Sequence, residues 1–146
     1  MNTKTILVFS LGLGLGVGFG AFASSPVAIG KVISNAKSKT HASKKARATP
    51  LITKEIGAKS AYMGLLDIEP GAGVPVHRDE TEEYIYFLEG GGEITIDGKK
   101  YTVKKGDTVF MPAKAEVSFS AIKTGKTKVL QVFAPQGPEK KYNNWK

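Results

Sequence analysis

In Gly71-Ala72-Gly73-Val74-Pro75-Val76-His77-Arg78-Asp79-Glu80-Thr81-Glu82-Glu83-Tyr84-Ile85-Tyr86-Phe87-Leu88-Glu89-Gly90, two β-type runs flank a short acidic turn. With His77 and Asp79 at the end of the first run, their two-residue spacing puts both side chains on one face. A turn through Glu80, Thr81 and Glu82 then brings Glu83 back at the start of the second run. One imidazole and two carboxylates would converge at a barrel mouth, a nitrogen and oxygen donor set suited to iron, manganese or zinc.

The same texture extends on both sides. From about residue 53 the chain reads as short β-type runs separated by turn signals, the pattern of a sandwich or barrel. Strands are expected at 61–68, 74–77, 84–89, 93–97, 100–104, 108–111, 117–121 and 128–134. The clearest local signal is a hairpin in which Ile94 and Ile96 alternate with polar neighbours before Asp97-Gly98, and Tyr101 and Val103 follow it. Gly90, Gly91 and Gly92 permit a sharp bend out of the preceding strand, and Gly106-Asp107 marks a further turn. No long helix and no internal repeat is evident.

Charge separates this region from what precedes it. The formal charge is +8, from 21 basic and 13 acidic residues, but every acid lies at Glu55 or beyond. Lys4, Lys31, Lys37, Lys39, Lys44, Lys45 and Arg47 carry nearly the whole excess, so the folding region is close to neutral and nucleic-acid binding is not expected. With no cysteine, disulfides, thiolate metal sites and thiol catalysis are excluded.

Residues 1–23 combine Lys4, an apolar run from Ile6 to Phe22 and an Ala21-Phe22-Ala23 cleavage pattern, which reads as a secretory signal peptide and hence a secreted or periplasmic protein. The alternative is an uncleaved membrane anchor, disfavoured by the glycines at 12, 14, 16, 18 and 20. Residues 24–52 read as a basic linker rich in Ser, Ala and Lys, either a solvated spacer or a weak contact with an anionic envelope surface. The barrel is expected over 53–136, with a C-terminal tail at 137–146, where Tyr142 and Trp145 would cover the barrel exterior or fray.

The residues quoted at the outset resemble the first motif of the cupin superfamily: a glycine, five residues, His-x-His, three or four residues, a glutamate, six residues and a glycine, met here by Gly71, His77, Glu83 and Gly90 with Asp79 at the second histidine. The second motif opens on a glycine six positions before a proline, as Gly106 and Pro112 do. Its later half departs from the pattern: Val117 stands at the histidine that supplies the family's fourth ligand, Lys114 at a glycine and Ala121 at an asparagine. The resemblance covers about residues 55–136 and implies an all-β jelly-roll barrel whose metal set is reduced to His77, Asp79 and Glu83. It also implies pairing of protomers into a homodimer, through the face carrying Tyr84, Tyr86 and Leu88.

Two readings of the acidic turn stand side by side: a metal site, or a charged loop neutralised by Arg78 and nearby lysines. Facing inward, Ile85, Phe87, Val117 and Phe119 either line a binding pocket for a small molecule or simply fill a small barrel. The expected function is a small-molecule-binding or structural protein of the cell envelope without a complete metal site. The alternative is a metal-dependent oxygenase, isomerase or lyase using His77, Asp79 and Glu83, with Asp79 as third ligand or general base. A serine triad is not expected, since Ser118 and Ser120 lack a GxSxG setting, and His41 is expected to be solvated.

Overall fold

In a computed structural model, residues 30–145 are described. The expected signal peptide at 1–23 and the first residues of the linker lie outside them.

Ten strands follow in order: β1 (His41–Ala42), β2 (Ala46–Ile52), β3 (Tyr62–Ile68), β4 (Gly73–His77), β5 (Glu82–Glu89), β6 (Gly91–Ile96), β7 (Lys99–Lys104), β8 (Thr108–Met111), β9 (Val117–Ala121) and β10 (Thr127–Ala134). They form two antiparallel sheets, one in the order β1-β2-β3-β10-β5-β8 and the other β4-β9-β6-β7, which together make a jelly roll. All eight expected strands are present.

Period-two patterning explains the arrangement. In β10, Thr127, Val129, Gln131 and Phe133 are buried and the residues between them are half-buried; β3 repeats this with Tyr62, Gly64, Leu66 and Ile68. Phe87 from β5, Ile94 from β6, Phe119 from β9 and Phe133 from β10 meet in one core. Burial of such a side chain contributes about 1.5–3 kcal/mol. The Asp97-Gly98 turn joins β6 to β7 with φ of 46° and 79°, and Asp97 Oδ1 accepts a hydrogen bond from the Glu116 amide at 2.9 Å. That bond ties the hairpin tip to the entry of β9. At Gly90 φ is +68°, and a Cβ there would collide with the Lys126 carbonyl, so this bend requires glycine.

The sheet starts earlier than the sequence led us to expect. Residues 41–52, read as linker, supply β1 and β2, and β2 pairs along β3 from Ala46↔Ile68 to Ile52↔Met63. Ala48 is fully buried and Thr49 nearly so. The run carries no large apolar alternation because the sheet edge it covers is already bulky: small residues at Ala46 and Ala48 fit against Ile68 and Leu66. The tail also differs from expectation. A 3₁₀ segment, Pro138–Asn144, folds back and buries Tyr142 among the core side chains, neither on the exterior nor frayed.

Candidate functional site

A partly open cavity of about 430 Å³ lies in the barrel. Ile85, Phe87, Val117 and Phe119 all line it, as inward alternation predicts, together with Ile94, Leu66 and Val129. The Phe87 and Phe119 rings lie 5.9 Å apart and tilted by 47°, a favourable aromatic geometry. These side chains line the cavity and, for Phe87, Val117 and Phe119, belong to the buried core as well.

His77, Asp79 and Glu83 stand together at its polar end. Each offers a donor atom within 4.8 Å of the other two. A carbonyl oxygen only accepts, so the 2.9 Å contact between His77 Nδ1 and the Pro75 oxygen places the proton on Nδ1. That leaves Nε2 facing Asp79 Oδ2 at 3.7 Å. Glu83 is buried, and loss of solvent raises its pKa above the ordinary carboxylate value against the pull of the Lys141 charge and the Gln131 hydrogen bond.

Three further residues complete this end of the cavity. Gln131 Nε2 donates to Glu83 Oε1, and the Tyr142 hydroxyl donates to Gln131 Oε1. Lys141 Nζ pairs with Asp79 Oδ2 at 2.8 Å. Burial, followed by the neighbouring Glu83 charge, pushes the Tyr142 hydroxyl well above its usual pKa, so it stays a donor. Gln131 is not singled out by the sequence reading, although it is the one amide in the inward series Val129, Gln131, Phe133 of β10. Lys141 and Tyr142 had no such signal, because only the fold of the tail brings them there.

The opposite corner of the site is apolar. Val117 on β9 is the direct partner of His77 on β4, so the family's fourth ligand position falls beside the imidazole and holds a side chain with no donor. Glu116 cannot replace it, since it faces outward and pairs with Arg78 at 2.9 Å. The residues present thus do not fit a four-ligand centre: one donor position is apolar and one carboxylate already holds an ammonium group. Lys114, at the family's glycine, nevertheless keeps a left-handed backbone with φ of 66°. Its amide donates to the Asp79 carbonyl at 2.7 Å, and its own carbonyl accepts from Arg78 Nη1 at 2.7 Å.

Outside the barrel, Tyr84 and Phe110 pack at 5.3 Å on the outer face of the six-stranded sheet, with Tyr86 beside them; all three are exposed. His41 lies in β1, far in sequence from the other site residues, and no metal cluster among the described residues includes it. No helix among the described residues is long and apolar enough to cross a membrane.

Comparison with known proteins agrees with this architecture. The cupin domain profile matches residues 64–133. An uncharacterized protein, MJ1618, of Methanocaldococcus jannaschii is 36% identical over 86 residues, 54% of this chain and 69% of that protein. The polyketide synthase CurC of Streptomyces cyaneus is 25% identical over 92 residues; the match spans 62% of this chain and 60% of that one, less than two thirds of its length. Among solved structures, the polyketide cyclase RemF from Streptomyces resistomycificus superimposes with a TM-score of 0.66 at 22% identity, covering 75% of this chain and 82% of that one. A jelly roll with both motif corners in place, the first carrying His77, Asp79 and Glu83 with aspartate where the family has its second histidine and the second apolar at Val117, belongs to the cupin domain family.

Proposed function

We propose that this cupin barrel binds an apolar small molecule through one oxygen-bearing end. The observation that carries the reading is the division of the cavity: an apolar wall of Ile85, Phe87, Val117 and Phe119 faces a cluster of His77, Glu83, Gln131 and Tyr142. Apolar surface supplies most of the affinity and a few placed polar groups fix orientation. Gln131 holds one Glu83 oxygen, so a ligand hydroxyl would meet the other oxygen and could donate to His77 Nε2. The relatives named for polyketide chemistry support a ligand of this oxygenated, apolar kind.

A thermal-shift screen with phenols, hydroxyketones and the parent hydrocarbons tests it. The oxygenated compounds should stabilise the wild type, the hydrocarbons less, and Val117→Trp, which fills the cavity, should abolish the shift. Equal shifts in Val117→Trp would refute the pocket as the binding place.

The second reading is a metal-dependent oxygenase, isomerase or lyase using His77, Asp79 and Glu83, supported by the convergence of their donor atoms within 4.8 Å. Turnover that depends on a bound ion and disappears in His77→Ala would select it. The exposed aromatic face at Tyr84, Tyr86 and Phe110 supports a homodimer, readable by sedentation-equilibrium mass, with Tyr84→Glu giving monomers. We propose export to the periplasm or medium from the pattern at 1–23, with a mature protein starting at Ser24. A weak contact of the basic segment with anionic membrane would show as salt-sensitive pelleting, lost when Lys37, Lys39 and Lys44 become Gln.

A further inference from the structure

We infer that Lys141 is a built-in cation which occupies the polar end of the cavity in competition with divalent metal. Its ammonium nitrogen is 2.8 Å from Asp79 Oδ2. It also lies 5.0 Å from the centroid of the Phe133 ring and 5.8 Å from that of Tyr142. A carboxylate and two aromatic faces are the surroundings that stabilise a cation. Asp79 stands where the family's second histidine stands, and histidine could not hold an ammonium group in this way. Two features that look like separate losses, aspartate for histidine and valine for histidine, therefore make one arrangement: fewer metal donors, and a negative charge that retains the tail.

The tail is fastened by more than this ion pair. Tyr142 is buried and donates to Gln131, the residue that holds Glu83, and its ring packs edge-on against Trp145 at 4.8 Å. Tyr142 and Trp145 line the same cavity. A divalent ion taking oxygen from Asp79 at the usual coordination distance of about 2 Å would face the ammonium across the same carboxylate, so one cation has to leave. Lys141 thereby sets the cation preference of the site, whichever compound fills the apolar part of the cavity.

Zinc titration of the full chain tests this with two independent readouts. In calorimetry, Lys141→Gln should bind Zn²⁺ at least tenfold more tightly than the wild type, His77→Ala in that background should remove the gain, and Lys140→Gln, an exposed neighbour, should match the wild type. Trp145 is the only tryptophan, so its emission reports the tail directly: Zn²⁺ at concentrations that saturate the wild type should shift it to the red as Lys141 is displaced. Equal zinc affinity in wild type and Lys141→Gln would overturn the inference. Should Lys141→Gln fail to fold, zinc binding to the wild type without any change in Trp145 emission would overturn it equally.

Discussion

The two corners of this barrel share a backbone and differ in chemistry. In the β4–β5 corner, His77, Asp79 and Glu83 gather within 4.8 Å. In the β8–β9 corner, the position paired with His77 is Val117, and Lys114 takes the left-handed turn that the family gives to glycine. Backbone hydrogen bonding still joins them, from the Lys114 amide to the Asp79 carbonyl. Turn geometry and alternation thus hold the fold through substitutions that remove its donors. Membership in the family accordingly fixes the scaffold, and individual side chains decide what it can do.

The comparison breaks most visibly if one corner packs less firmly than the other. Phe87 belongs to the first corner's strand and Phe119 to the second's, and both are buried against each other. Each Phe→Ala substitution should cost about 3–5 kcal/mol in urea denaturation. A much smaller loss at Phe119 would show that the second corner has decayed structurally as well as chemically.

Val117→His sharpens the contrast from the chemical side. An imidazole placed in the apolar wall should cost about 1–3 kcal/mol of stability without metal. It should also tighten Zn²⁺ binding at least tenfold, about 1.4 kcal/mol, by calorimetry. Unchanged affinity would mean that the vacant donor position is not what limits the site.

Glu83 gives the next effect, read as a pH dependence. Its pKa is raised from 4.5 by burial, so the native state keeps a proton that the unfolded chain has already released. Its contribution to stability is therefore fully present below 4.5, declines as pH rises through the native pKa, and is level beyond it. Glu83→Gln retains an acceptor for Gln131 and removes the titration. Its melting temperature should gain on the wild type as pH climbs above 4.5, and a difference that shrinks instead would contradict burial as the dominant cause.

The smallest effect concerns Lys114. Replacing a non-glycine residue at φ of 66° by glycine relieves a left-handed backbone while adding unfolded-chain entropy. Lys114→Gly should stabilise by about 0.5–1 kcal/mol in the same urea assay, with the Asp79 and Arg78 hydrogen bonds kept because both use the backbone.

Sequence reading reached the strands because β3, β9 and β10 alternate cleanly and because Asp97-Gly98 and Gly90 force turns that few other residues accept. The same periodicity puts Ile85 with Phe87, and Val117 with Phe119, on inward faces, whereas Asp79 lies in the turn after β4, where strand alternation does not set its direction. Sequence reading missed β2, where Ala46 and Ala48 pack by being small and so carry no hydrophobic signal. It also missed Lys141 and Tyr142, whose place depends on how the tail crosses the barrel mouth, a contact made across 62 residues in the case of Lys141 and Asp79. Local pattern carries strand faces; it carries nothing about which distant segment closes them.

Elemental analysis of the untagged protein, isolated without added metal or chelator, bears most directly on the claim that the second corner's valine leaves this cupin without a firmly held ion. Iron, manganese and zinc should each be far below one per chain, and His77→Ala should not change them. One equivalent of any of these ions in the wild type, lost in His77→Ala, would contradict the account.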